Sequence, residues 1–267
     1  MTSLTPFAEK TFLTHYHVFL RLASQFMPEI PFAPEEKILD LGCRNGKVTG
    51  ALANLNPDCS FTAITTSSLY LDAIEQDKAL QSLPNIQFKQ VSPYELDFKD
   101  TFDKVVSFSC LTWYQEREKI MQNVYNALKP GGKAYIQLFV DHGQDWFDAC
   151  VFAVAQKKEW SSHFQNFKKR VTHTKPGVLL AQAEQIGFII QQSKLLKRHI
   201  PIKNEEYFKN WMISWSSHLP FLPENKVDAF FSEAVETYLQ KHPKVKNGQF
   251  TYDDYFLEMV LLKPLNQ

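Results

Sequence analysis

The sequence predicts an α/β fold with a doubly wound, mostly parallel sheet of seven strands and helices on both faces. Two observations support this prediction. Short apolar runs alternate with longer amphipathic ones over residues 37–140, and strands separated by helices of about ten residues form parallel βαβ units. An apolar run over residues 255–262 adds a last strand, which we expect to be antiparallel.

The apolar periodicity assigns the elements in chain order. Strands are predicted over residues 37–41, 61–65, 86–90, 104–108, 133–140, 188–194 and 255–262. Helices are predicted over residues 7–27, 47–55, 69–80, 116–128 and 176–186 and within two aromatic-rich blocks, 144–172 and 203–241. The segment Pro130-Gly131-Gly132 should end the fourth of these helices, because proline cannot continue a helix and glycine accepts the left-handed cap.

We interpret the chain as a single domain, residues 1–267, with two helical lid segments. Its parts are a helical cap (1–35), a cofactor-binding core (36–140), two helical lid segments (141–175 and 200–245) and the remaining core elements (176–199 and 246–267). The lid segments should lie above the carboxyl edge of the sheet, where open α/β proteins bind their ligands.

Composition excludes several classes of function. Lys and Arg number 29 and Asp and Glu number 29, so the formal charge is zero, which argues against binding to nucleic acid or to an anionic membrane surface. No apolar run approaches the roughly 20 residues of a membrane span, and we see no signal peptide. The four cysteines form no CxxC pair, so we expect neither a disulfide framework nor a metal site. These features favour a soluble, cytoplasmic protein.

The sharpest local signal is the segment ILDLGCRNGK at residues 38–47, where a buried strand leads through a glycine turn into a helix. Such a turn allows close approach of a ligand to the backbone, with helix N–H groups directed at it. The dinucleotide fingerprint GxGxxG is absent, because Gly42 and Gly46 are four residues apart with Arg44 between them. This spacing disfavours a nicotinamide oxidoreductase and leaves a plain tight turn as the alternative to a ligand site.

Three segments resemble motifs of the class I S-adenosylmethionine-dependent methyltransferases. Residues 40–46, DLGCRNG, are similar to motif I of that superfamily, whose usual form is (D/E)xGxGxG. Residues 102–113, FDKVVSFSCLTW, resemble its fourth strand and the following loop, and residues 128–133, LKPGGK, resemble the turn before its fifth strand. The resemblance implies a Rossmann-like methyltransferase fold with S-adenosylmethionine as cofactor.

A finer resemblance concerns the substrate. Residues 111–113, LTW, and the Trp- and Phe-rich helices at 207–239 are similar to those of the trans-aconitate and juvenile-hormone-acid methyltransferases, which esterify small carboxylates. The resemblance therefore implies a small-molecule substrate such as a carboxylate. The aromatic content of the predicted lid fits a partly apolar molecule.

By the same resemblance, the cofactor is held by the acid of the first strand, the glycine loop and the ends of the next strands. The residues implicated are Asp40, Gly42, Cys43, Gly46, Thr65, Thr66, Ser92, Ser107 and Phe108. Arg44 replaces the middle glycine of the motif, and its side chain would crowd the cofactor unless it turned outward. Thr65 and Ser92 stand where the family has acids, and a hydroxyl holds a ribose more weakly than a carboxylate does.

Two interpretations follow from these departures. In the first, the enzyme is active with a rearranged grip on its cofactor, and the protein mainly aligns the acceptor with the methyl group. The candidates for positioning the substrate are His15, Tyr16, His17, Trp113, Trp146 and Trp160. In the second, the fold persists without catalysis and binds another ligand or a protein. His15 and His17 are two residues apart on a helix and cannot share one face, and tryptophans in such helices more often belong to the core.

Overall fold

The computed structural model describes residues 6–141, 146–167, 174–242 and 250–265. It contains one seven-stranded sheet with the order β3-β2-β1-β4-β5-β7-β6. The strands are β1 Lys37–Leu41, β2 Ser60–Thr65, β3 Ile86–Gln90, β4 Phe102–Phe108, β5 Leu128–Phe139, β6 Ile189–Ile202 and β7 Phe250–Leu262. Strands β1 to β5 are parallel, whereas β7 runs antiparallel to both β5 and β6. The predicted fold class, including the antiparallel last strand, is confirmed.

Nine α-helices lie within the described residues. They are α1 Pro6–Phe26, α2 Lys47–Leu55, α3 Ser68–Glu75, α4 Lys78–Gln81, α5 Arg117–Ala127, α6 Trp146–Ala155, α7 Pro176–Ile186, α8 Glu205–Trp215 and α9 Glu224–Lys241. The single helix predicted over residues 69–80 is wrong, since α3 and α4 are separate. Asp77 divides them, because its side chain accepts hydrogen bonds from the N–H groups of Ala79 and Leu80 and caps α4.

The turn after α5 also differs from the prediction. The helix ends at Ala127, one residue before the predicted end, and β5 begins at Leu128 instead of residue 133. The segment Pro130-Gly131-Gly132 therefore lies within the strand, at a point where the register with β4 shifts. Gly131 donates its N–H to the Lys263 carbonyl, and Lys263 donates to the Gly132 carbonyl. The proline–glycine turn is thus a bulge tied to the chain beyond β7.

Strands β6 and β7 are longer than the predicted 188–194 and 255–262. Residues alternate between more and less exposed along β6, the edge strand of the sheet. Polar residues such as Lys194 and Arg198 occupy its middle, so the apolar pattern marks only part of its length.

The helices that follow β5 and β6 form an aromatic layer at the carboxyl edge of the sheet. The chain leaves that edge at the end of β6, forms α8 and α9, and returns at the start of β7. Helix α1 packs against α8, where the Phe19 ring stacks on Trp211 with centroids 5.5 Å apart. None of the described helices has the length and hydropathy that crossing a membrane requires.

Candidate functional site

The loop between β1 and α2 is the centre of the candidate site. The N–H groups of Gly42 and Cys43 both donate to the Ile64 carbonyl of β2, at 3.1 and 2.9 Å. Gly42 and Gly46 have φ values of +86° and +72°. A Cβ atom at position 42 would lie 2.3 Å from the Cys110 sulfur, so only glycine allows the loop to pass this close to the segment after β4.

Asp40, the acid of the motif, is turned into the protein beneath this loop. Its side chain is 1% exposed and accepts a hydrogen bond of 2.6 Å from the Thr49 hydroxyl of α2. Burial raises the pKa of Asp40 to about 6, although the Thr49 hydrogen bond and the nearby Arg44 charge oppose that rise. The carboxyl group therefore links β1 to α2 through this hydrogen bond.

Arg44 adopts the left-handed conformation that the motif assigns to glycine, with φ of +50°. Its guanidinium carbon lies 4.3 Å from the centroid of the Phe19 ring and 5.7 Å from that of Trp113. Burial lowers the pKa of Arg44, while Tyr70 and Cys110 are close enough to affect it in the opposite direction. The side chain thus points inward, between α1 and the loop after β4.

The space left above the glycine loop is small. Its cavity measures about 20 Å³ and is bounded by Tyr16, Phe19 and Leu20 of α1 on one side and by Asp40 and Arg44 on the other. Sites for small organic ligands usually measure about 300–1,000 Å³, and one water takes about 30 Å³ in the liquid. S-adenosylmethionine does not fit this arrangement while Arg44 and α1 hold these positions.

Side chains near the ends of β2 and β4 fill the rest of the region. The half-buried Tyr114 forms a hydrogen bond with Thr66 through its phenol group, and desolvation raises the pKa of that group above its ordinary value. The ring of Tyr114 packs edge to face against Tyr94, with centroids 5.3 Å apart. Tyr70 is also buried and lies near the Arg44 guanidinium. Sequence reasoning missed both Tyr70 and Tyr114, although Tyr114 directly follows the LTW segment that it singled out.

Three hydroxyl groups predicted to contact the cofactor bond to the protein backbone. The Thr65 hydroxyl accepts from the Ser67 N–H at 3.3 Å. Ser92 caps a short 3₁₀ helix by accepting the N–H two residues ahead. The buried Ser107 hydroxyl donates to the Leu41 carbonyl and links β4 to β1. These hydrogen bonds hold the ends of the strands in place.

Cys43 and Phe108 both line the cleft, but they pack in different apolar clusters. Cys43 packs in a small buried cluster with Ala63, Ile74 and Leu80, and burial raises its pKa well above the ordinary thiol value. Phe108 lines the cleft and contacts Phe26 edge to face. The Cys43 thiol is therefore a packing group.

The structure brings two of the substrate-positioning candidates to the cleft. Tyr16 lines it from α1, and Trp113 lies beside Arg44. Trp160 lies in the lid, where its indole N–H donates to Glu233 at 2.6 Å and its ring packs edge to face against Phe230.

The other candidates do not line the cleft in the described part of the chain. His17 lines a second cavity on a neighbouring face of α1. The side chains of His15 and Trp146 lie outside the described residues.

Comparison with known proteins places the glycine loop within a methyltransferase domain. Residues 38–132 match the family model described as "Methyltransferase domain". The chain is 23% identical over 218 residues to the putative methyltransferase 235L of Invertebrate iridescent virus 6, which covers 81% of this chain and 79% of that protein. It is 29% identical over 113 residues to the trans-aconitate 2-methyltransferase of Deinococcus radiodurans, a match that spans 42% of each chain.

The fold also matches a solved structure over nearly its whole length. The crystal structure of a putative methyltransferase from Bacillus halodurans superposes with a TM-score of 0.64, at 16% identity, covering 91% of this chain and 98% of that one. The strand order, the glycine loop after β1 and the family match agree. Residues 38–132 therefore match a methyltransferase domain, and the described chain has the Rossmann-like fold of the class I S-adenosylmethionine-dependent methyltransferases.

Proposed function

We propose that the protein is an S-adenosylmethionine-dependent methyltransferase that acts on a small carboxylate and whose donor cleft opens before the donor binds. The observation that carries this proposal is the position of the glycine loop. It follows β1, which pairs with β2 on one side and β4 on the other. In an open α/β sheet this is the point where the strand order reverses and where ligands bind.

The closed cleft adds a requirement to this function. Arg44 and the Phe19 ring of α1 fill the space above the loop, so both have to move before a nucleoside can enter. The backbone of Gly42 and Gly46 already has the left-handed conformation of the loop. Opening therefore requires movement of side chains and of α1, and not refolding of the loop.

The carboxylate is proposed from resemblance. One relative, over less than half its length, is named for methylation of trans-aconitate, which is a carboxylate. A carboxylate acceptor is already a nucleophile at neutral pH, so its methylation needs alignment and no general base.

A second candidate function is binding without catalysis. The inward Arg44 side chain and the engagement of Thr65 by the Ser67 N–H favour it, because both occupy places where the family holds its cofactor. In that case the domain would bind another ligand or a protein through a different surface.

A turnover assay distinguishes the two functions. The protein is incubated with S-adenosylmethionine and a panel of small carboxylates that includes trans-aconitate, each paired with its amide, and S-adenosylhomocysteine is measured. We expect product with one or more carboxylates, none with the matching amides, and faster turnover in Arg44→Gly than in the surface control Lys158→Gln. If neither the wild type nor Arg44→Gly forms product or binds the donor, the methyltransferase function is contradicted and the non-catalytic function is supported.

A further inference from the structure

A second and much larger cavity lies on a neighbouring face of α1. It measures about 400 Å³ and is enclosed by α1, the last third of β6 and the start of α8. Five basic side chains line it: His17 and Arg21 from α1, and Lys197, Arg198 and His199 from β6. The size is within the range of sites that hold small organic molecules, about 300–1,000 Å³.

Carboxylates pair with three of the five basic side chains that line this cavity. Asp253 pairs with Lys197 at 2.8 Å and with His199 at 2.6 Å. Glu258, which is fully buried, pairs with Arg198 at 2.9 Å.

The exposed Arg21 guanidinium has no ion pair with any residue in the described part of the chain. Lys197 and Arg198 are each paired with a carboxylate, so Arg21 is the lining cation that remains available to an anionic ligand among the described residues.

Apolar groups form the rest of the lining. Leu22 and Ile200 are buried at its base, and the half-buried Tyr207 ring lies on the α8 side. A site of this composition binds a molecule with a charged group and an apolar part, since the charge meets the guanidinium and the apolar part is removed from water.

We propose that this cavity binds a small organic anion, with a carboxylate or phosphate ester group at Arg21 and an apolar part against Leu22, Ile200 and Tyr207. The site goes beyond the methyl-donor cleft. Tyr16, Phe19 and Leu20 line the cleft, whereas His17, Arg21 and Leu22 line this cavity, so the two spaces are on different faces of one helix.

Isothermal titration calorimetry with matched probes tests the proposal. Phenylacetate and phenyl phosphate supply the two anionic groups on the same ring, and phenylacetamide is a neutral molecule of nearly the same shape as phenylacetate. We expect saturable binding of at least one anion, with one molecule per chain, and about tenfold weaker binding of the amide, because it lacks the charge-assisted hydrogen bond. The anion that binds more tightly identifies the charged group.

Variants locate the binding. Arg21→Gln should weaken anion binding about tenfold, and Arg21→Lys should retain most of it. Two control variants should bind the anion as the wild type does. Lys158→Gln changes an exposed side chain that does not line the cavity, and Arg44→Gly changes the donor cleft. The proposal is overturned by no saturable binding of either anion, by equal binding of phenylacetamide, by unchanged affinity in Arg21→Gln, or by a loss confined to Arg44→Gly.

Discussion

Helix α1 separates two spaces that have opposite properties. The donor cleft retains the loop of a large family but has a cavity of about 20 Å³, whereas the second space lacks a family motif and has about 400 Å³. Each has an arginine. Arg44 points into the cleft against Phe19, while Arg21 lines the cavity and has no described ion-pair partner. A sequence motif can therefore indicate the position of a candidate ligand site. The side chains around that position determine how much space the site has.

The largest predicted effect is on the backbone of the cleft. Gly42→Ala should lower the free energy of unfolding by about 4 kcal/mol, because the new Cβ would lie 2.3 Å from the Cys110 sulfur and the φ of +86° is unfavourable for alanine. Urea unfolding at 25 °C measures the change.

Gly177→Ala is the matched control for this substitution. A Cβ at position 177 would have no neighbour within 4 Å, and alanine favours the first turn of α7, so stability should stay within about 1 kcal/mol of the wild type. Similar stability of the two variants would contradict the tight passage of the loop beneath Cys110.

The next effect is on the pH dependence of stability. The fold shifts the pKa values of one acid in each region in opposite directions. Burial raises the pKa of Asp40 from 3.8 to about 6. For Asp253 beside the cavity, burial acts in the same direction, but the hydrogen bonds from Lys197 and His199 outweigh it and lower the pKa. As the pH rises from about 4 to 6, the Asp40 carboxyl ionises in the unfolded chain but stays protonated in the fold, so stability is lost over this range. Asp253 loses its stabilising contribution only as the pH falls below 3.8, the ordinary pKa of an aspartate.

Asp40→Asn isolates the first of these groups. Asparagine does not titrate, and its side-chain oxygen can still accept the Thr49 hydroxyl. The stability of the variant relative to the wild type should therefore rise by up to about 3 kcal/mol between pH 4 and pH 7, with no further gain above that range. Chemical denaturation at several pH values measures the difference. A difference that does not vary with pH would contradict a buried, desolvated Asp40.

Much of the fold could be predicted from the sequence because apolar periodicity records burial. The bounds of β1, α2, β3 and α7 agree with the predictions to the residue. Periodicity failed where local hydrogen bonds or edge exposure decide the structure, as in the break at Asp77 and the polar residues of β6. The bulge at Gly131 depends on contact with Lys263, more than a hundred residues away, which no local pattern records.

The candidate site was only partly predictable. Asp40, Gly42 and Gly46 follow from a local motif, and the structure places them at the end of β1. The direction of the Arg44 side chain depends on Phe19 and Trp113, which come from distant parts of the chain. The cationic cavity depends on α1 meeting β6, although the run Lys197-Arg198-His199 is visible in the sequence and could have indicated it.

The central claim is that Arg44 and α1 close a donor cleft whose backbone is intact. Calorimetric titration of S-adenosylhomocysteine into the wild type, Arg44→Gly and Lys158→Gln tests it most directly, with thermal unfolding to show that all three are folded. The account predicts at least about tenfold tighter binding to Arg44→Gly than to the other two, since glycine vacates the cleft and accepts the φ of +50° without strain. Equal or weaker binding to Arg44→Gly would contradict the claim, because it would show that Arg44 does not obstruct the nucleoside.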